Sequence, residues 1–422
     1  MRLRMGSLGR VALGATLLIV VAASGCGGDD DETSAPDVTS GSVEVVDFSL
    51  RGPFAVGVTE LSGEPPVLVF YPADRDAVPD DAVTFRYTAE DHWGQFVGIL
   101  TDELRADFDF EVDEAWREVP ASEQRAFPLV VFSHGAAMSR FGHSFYGAHL
   151  ASWGYVVAVP QQSVRDVEAA ITAGGDVAGI VEVSLEVIDS TIAALTSEAA
   201  RPGSVLEDRV ASDKTAVAGH SAGGAEAVLS AYRSDVDTSI SLAGAGAPVP
   251  REVAGDHEIV REGWYGFDPA AGEFDLGAYL AETEPPAKPS LNVFTENDLL
   301  YPVEDARAVF DWLPPPKRFA VLADTGHFVF VDSCERSQEA GGSEAVAAVL
   351  GQDPESLQMR TIENGCSPPD APVAEVTALW NHLTVAHLNW VFDLDRAGAE
   401  AALDPDYLDQ RFPGALAEYV AE

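Results

Sequence analysis

From about Val43 onward, short and nearly continuous apolar runs recur, separated by longer segments whose apolar positions return at helical spacing. Val67 to Tyr71, Leu129 to Phe132, Tyr155 to Val159, Thr215 to Ala218, Ser239 to Leu242, Leu291 to Phe294 and Phe319 to Leu322 read as buried strands. Between them, Val181 to Ala199 carries Leu185, Ile188, Ile192 and Leu195 on one helical face, and Val373 to Phe392 reads as a closing helix. Strands without alternation must be covered on both faces. Alternating with helices, they predict an α/β fold with a mostly parallel sheet between two helical layers. The chain has no internal repeat.

Two stretches break this rhythm. Residues 72–127 form a long polar connection containing Phe85, Tyr87, Trp93, Phe96, Phe108, Phe110 and Trp116. Residues 244–289 are rich in Gly, Pro and acids and include Trp264-Tyr265-Gly266-Phe267. In an open α/β sheet such excursions are expected over the carboxyl ends of the strands, where ligands bind; plain surface loops are the alternative.

The N-terminus has its own pattern. Arg2, Arg4 and Arg10 precede an apolar run from Val11 to Ala23, then Ser24-Gly25-Cys26. The run is shorter than the ~20 residues of a membrane span, so residues 1–25 read as a secretory signal. Small residues followed by Cys26 resemble a bacterial lipobox, which implies lipidation of Cys26 and attachment to the outer face of a cell membrane. Ala23 stands where that motif usually has Leu. An ordinary cleaved signal with a free cysteine is the alternative. Residues 26–42, with Asp29-Asp30-Asp31-Glu32, read as a flexible acidic tether, leaving 43–422 as one domain.

Charge narrows the partners. Against 69 acidic side chains stand 25 basic ones, 22 of them Arg, for a formal net charge of -44 over 422 residues; loss of the three signal arginines takes it to -47. Such a surface repels phosphate backbones and anionic headgroups, which excludes nucleic-acid binding and favours neutral or zwitterionic small molecules. With Cys26 lipidated, Cys334 and Cys366 remain as a candidate disulfide in an oxidising compartment. Closing that loop is worth roughly 3.7 kcal/mol at most in the chain-entropy picture. Two unpaired buried thiols are the alternative.

The chemistry centres on Gly219-His220-Ser221-Ala222-Gly223-Gly224, which follows the strand ending at Ala218 and precedes the helix-compatible Ala225-Glu226-Ala227-Val228-Leu229. This is G-x-S-x-G in a strand-turn-helix setting. The small neighbours allow the tight turn that projects a nucleophilic serine in an α/β-hydrolase. Serine needs a base, and in this fold acid and base follow it on loops after later strands. His327, in Asp324-Thr325-Gly326-His327-Phe328 after the Phe319 to Leu322 strand, fits. His257 has no preceding strand, and His382 and His387 lie in the last helix. Neither that pair nor His143 and His149 has metal-site spacing, so no metal is expected. Asp298, in Thr295-Glu296-Asn297-Asp298, is the expected acid, with Glu296 on the same loop as the alternative. The backbone N–H groups of Ala222 and of Ala136, in Phe132-Ser133-His134-Gly135-Ala136, are the expected oxyanion donors, with His134 bracing that turn.

Across residues 50 to 410 the sequence resembles bacterial serine hydrolases related to platelet-activating-factor acetylhydrolases, dienelactone hydrolases and cutinase-like polyester hydrolases. The resemblance rests on Gly52-Pro53-Phe54-Ala55-Val56-Gly57, Phe70-Tyr71-Pro72-Ala73, Phe132-Ser133-His134-Gly135, the run from His149 to Pro160, Gly219-His220-Ser221, and His327-Phe328-Val329-Phe330-Val331-Asp332. It implies a Ser-His-Asp carboxylic-ester hydrolase that needs no cofactor. Departures narrow the analogy. Animal acetylhydrolases take their acid after the strand that follows the nucleophile, but here that strand runs into Leu242-Ala243-Gly244-Ala245-Gly246. Dienelactone hydrolases use cysteine at the position of Ser221, and the usual Pro-Asp is here Pro160-Gln161-Gln162. The expectation is a lipid-anchored serine esterase acting on short acyl esters or acetylated phospholipid-like substrates. A polyester hydrolase and a catalytically silent binding lipoprotein on the same fold are the alternatives.

Overall fold

The apolar runs come together in one 11-stranded sheet. In the computed structural model its strands are β1 (Ala55–Leu61), β2 (Val67–Ala73), β3 (Thr84–Tyr87), β4 (Phe110–Arg117), β5 (Phe127–Ser133), β6 (Val156–Pro160), β7 (Val210–His220), β8 (Thr238–Leu242), β9 (Ser290–Thr295), β10 (Lys317–Leu322) and β11 (Leu416–Ala421). Their order is β11-β10-β9-β8-β7-β5-β6-β2-β1-β4-β3. The block from β6 through β10 is parallel throughout. Antiparallel pairs flank it: β2 with β6 and β1, β3 with β4, and β11 with β10. The structure describes residues 45–93, 105, 109–166, 180–244, 280, 284–301, 303–350, 353–354, 360 and 363–422.

Continuous apolarity follows from burial on both faces. Along β5, Val130 and Phe132 enter one core while Leu129 and Val131 enter the other. The first core is closed by α1 (Ser144–Ser152) and by α6 (Val373–Val391). The second is closed by α2 (Ile180–Ala200), α3 (Ala222–Ser230) and α4 (Val303–Trp312), with Leu185, Ile188, Ile192 and Leu195 of α2 all packed into it. This is the α/β-hydrolase fold: a mostly parallel open sheet with helices on both sides, in which the segments around Ala136, Ser221, Asp298 and His327 follow the carboxyl ends of β5, β7, β9 and β10.

Two expectations need revision. The described part of 72–127 holds β3 and β4, which extend the sheet at its edge instead of looping over the strand ends. Phe85, Tyr87 and Phe110 are core residues, with Phe85 edge-on to Phe70 at 5.6 Å and Tyr87 stacked on Phe110 at 5.0 Å. Phe96, Phe108 and the Trp264 to Phe267 run lie outside the described residues. Nor does α6 close the chain. Helices Arg396–Ala402 and Pro405–Arg411 follow it, and β11 then returns antiparallel to β10.

The Cys334 and Cys366 sulfurs form a disulfide. Residues 1–42, including Cys26, lie outside the described residues, all of which fall within the unit Val43–Glu422. No helix among the described residues is long and apolar enough to cross a membrane.

Candidate active site

The turn after β7 is built from glycines and one strained serine. At the end of β7, Ser221 sits at φ 57 and ψ -122, a backbone conformation that costs a non-Gly residue about 1–3 kcal/mol and persists where the surroundings enforce it. The enforcement is visible. Ser221 N–H donates to the Leu242 carbonyl of β8 at 2.9 Å, and the Ser221 carbonyl accepts from Gly224 and Ala225 at 2.9 and 3.2 Å. A Cβ at Gly223 would lie 1.9 Å from the Ser133 carbonyl oxygen, so only glycine lets α3 approach β5 this closely. Ser221 is thereby fixed at the N-cap of α3, where helix N–H groups favour developing negative charge.

His327 stands at the start of a short 3-10 turn, His327–Phe330, just beyond β10. Its Nδ1 pairs with Asp298 Oδ2 at 2.8 Å, with both side chains buried. The other oxygen, Asp298 Oδ1, accepts the N–H groups of Leu300 and Tyr301 at 2.8 and 2.9 Å. Every part of that carboxylate is engaged. Glu296 takes a different course: it is exposed, and its Oε2 accepts the Asp324 N–H at 3.0 Å. Nε2 of His327 is buried with no hydrogen-bond partner among the described residues, while the Ser221 side chain lies beside the Tyr301 hydroxyl. The Ser221–His327 contact is thus open in this structure, as it often is before substrate binds.

The turn after β5 lies against the serine. A Cβ at Gly135 would meet Ser221 Cβ at 3.2 Å, which places the Gly135-Ala136 peptide beside Ser221. His134 donates from Nδ1 to the Gly135 carbonyl at 2.8 Å and accepts the Gln162 N–H at Nε2, at 3.0 Å. Burial, reinforced by the Arg165 charge, holds its pKa well below the ordinary histidine value, so it is a neutral brace. Beneath the turn is a buried ion pair between Arg165 and Glu226. The Arg165 guanidinium donates to the His134 carbonyl at 2.7 and 3.1 Å and to the hydroxyls of Ser133 and Ser184 at 2.8 and 2.9 Å. Ser133 in turn donates to Glu226 at 2.8 Å.

Several of these roles have no signature in the sequence. Tyr301 lies beside both Ser221 and His327: its hydroxyl neighbours Ser221, and its ring lies edge-on to His327 at 5.4 Å. His220, the variable residue of the serine motif, donates from Nε2 to the His327 carbonyl at 3.0 Å and is kept neutral first by burial and then by the neighbouring imidazole. Three of the remaining described histidines are framework. His382 bridges Phe48 and Ala402, His387 bridges Thr238 and Arg318, and His149 bonds the Phe48 carbonyl. His257 lies outside the described residues. Among the described residues no group of three or more His, Cys, Asp or Glu is arranged to hold a metal.

Compared with protein families, the chain matches the model of platelet-activating factor acetylhydrolase, isoform II, over residues 91–178. That segment contains β4, β5, the His134-Gly135-Ala136 turn, α1, β6 and Arg165, and it ends before Ser221. No curated protein matches the chain. With the fold, the match supports a hydrolase of the acetylhydrolase-like, esterase type.

Proposed function

We propose that this protein is a serine carboxylic-ester hydrolase. Ser221 Oγ attacks the ester carbonyl as His327 Nε2 takes its proton. Asp298 holds the Nδ1–H tautomer and stabilises the imidazolium. The N–H groups of Ala136 and Ala222 receive the oxyanion. The tetrahedral intermediate collapses, His327 returns the proton to the leaving alkoxide, and water repeats the sequence on the acyl-Ser221. Rotation of the Ser221 hydroxyl toward His327 starts the cycle. The observation that carries this reading is the buried Asp298–His327 bond, whose free Nε2 edge lies in the same small cluster of side chains as the strained Ser221.

The substrate class follows from charge and kinship. An acidic surface disfavours polyanions, and the family match favours the acetylhydrolase-like branch over the polyester-cleaving one. We therefore assign short acyl esters and acetylated phospholipid-like molecules, met outside the cell by an enzyme tethered through lipidated Cys26. The test is hydrolysis of p-nitrophenyl esters of increasing acyl length, beside an acetyl-glycerophospholipid. Turnover should collapse beyond the short acyl chains, and the acetyl-glycerophospholipid should be cleaved. Retained activity on long chains together with film hydrolysis of a polyester would move the assignment to the cutinase-like branch. Folded protein inert to every ester would support the silent binding lipoprotein.

A further inference from the structure

The two loops that meet at the Asp298–His327 pair leave neighbouring strands, β9 and β10. As far as Thr325 their backbones remain paired, with Glu296 N–H on the Leu322 carbonyl and Asn297 N–H on the Thr325 carbonyl, both at 2.9 Å. Beyond Thr325 the tie passes to Asn364, distant in sequence. Its Oδ1 accepts the N–H of His327 at 2.9 Å and the N–H of Leu299 at 3.0 Å. Its Nδ2 donates to the Asn297 carbonyl at 2.9 Å, and its own carbonyl accepts the Phe328 N–H at 2.8 Å. One half-buried residue thus binds both flanks of the acid and the base itself. Gly326 makes room for it: a Cβ there would lie 2.2 Å from Asn364 Nδ2.

Asn364 is itself seated. Two residues on, Cys366 is joined by the disulfide to Cys334 of α5 (Ser333–Ala340), the helix that follows the His327 turn. Glu363 accepts a hydrogen bond from Ser337, and Gln338 donates to the Ala371 carbonyl at 3.0 Å, both from the same helix. The covalent closure therefore spans from just after His327 to just after Asn364. It holds the side chain that couples the two loops.

We propose that Asn364 is a positioning residue for the acid-base pair and that the Cys334–Cys366 disulfide keeps it in place. The proposal rests on the reading of Asp298 and His327 as the charge-relay partners of Ser221. Misplacement of reacting groups by about 1 Å costs roughly 10²-fold. Asn364→Ala, which removes all three side-chain bonds, should therefore lower kcat by roughly 10²-fold with KM within about threefold of wild type. Asn364→Asp, which keeps the acceptor for the His327 and Leu299 N–H groups, should recover turnover to within about tenfold of wild type. Replacing both cysteines by serine should lower kcat in the same way, and adding Asn364→Ala to that variant should cost little more, because the two changes remove one device.

A second readout needs no substrate. The low-field proton resonance of His327 Nδ1–H reports the bond to Asp298; it should be lost or broadened in Asn364→Ala and present in Asn364→Asp. An Asn364→Ala protein with wild-type kcat and an unchanged resonance overturns the role of Asn364. Fully additive losses for the cysteine and asparagine changes overturn the role of the disulfide. A wild type inert to esters, whose resonance still disappears in Asn364→Ala, would remove the esterase reading and uphold the positioning.

Discussion

Asp298→Asn is expected to lower turnover by roughly 10⁴-fold with little change in KM, the size of effect seen when a triad loses its carboxylate. The reason lies in the two hydrogen-bonded halves of the side chain. An asparagine oxygen can still accept the Leu300 and Tyr301 N–H groups that now fall on Oδ1, so the loop turn survives. The other half then presents an amide N–H to His327 Nδ1 where Asp298 Oδ2 had accepted. Two donors cannot face each other, so Nδ1 becomes the acceptor and the proton moves to Nε2. A histidine protonated at Nε2 cannot take the Ser221 proton. Glu296→Gln should leave turnover near wild type, since Glu296 is exposed and bonded to the Asp324 N–H. Steady-state kinetics on a short acyl ester compares the two. A loss below about tenfold for Asp298→Asn would transfer the role to another carboxylate.

Glu226→Ala should be the most damaging change to stability near the site, at about 3–5 kcal/mol by urea unfolding. Arg165 and Glu226 are both almost fully buried, and removing the carboxylate leaves a guanidinium without its countercharge. The loss should reach the chemistry as well. Arg165 holds the His134 carbonyl, and His134 belongs to the turn that offers the Ala136 N–H, so a slackened pair lets an oxyanion donor drift. Removal of one such donor costs about 10²–10³-fold in kcat, and Glu226→Ala should approach that range. Arg165→Met combined with Glu226→Leu should unfold at higher urea than Glu226→Ala alone, because removing both charges leaves no unpaired ion. A single-variant loss under about 1 kcal/mol, with turnover unchanged, would mean the pair is not buried as described.

The strands that the sequence reading found are those buried on both faces, β2 and β5 through β10. It passed over β1, whose buried positions include Ala55, Gly57 and Thr59 in place of a run of large apolar side chains, and it passed over β3, β4 and β11: β4 runs Phe110, Val112 and Ala115 inward with polar positions between, and β11 stays half exposed along its length. Edge strands carry a period of two over few residues, which is easily taken for a polar loop. The serine and histidine were legible for a local reason. Each sits on a turn directly after an apolar strand, and the turn needs small residues beside it. Asp298 and Glu296 share one loop, and direction along that loop is a tertiary property, so sequence left both open.

The supporting residues are of another kind. Arg165 and Glu226 meet across distant segments with no spacing rule, and Arg165 reads as one surface charge among many. Asn364 has no motif at all. The one sequence feature bearing on it is the cysteine pair: joining Cys334, seven residues after His327, to Cys366, two residues after Asn364, brings that asparagine toward the base, an inference that needs the pairing to be known first. His220 and Tyr301 were visible as neighbours of the serine and the acid, but their contacts with His327 required the fold.

All of this depends on Ser221 being a nucleophile activated by His327. Incubating the folded wild-type protein with a fluorophosphonate probe, then mapping the adduct by peptide mass, reads that activation without choosing a substrate. One adduct per chain, on Ser221, is the expected result, with none in Ser221→Ala. A folded wild type that takes up no label, or takes it up on a different residue, would contradict the assignment of Ser221.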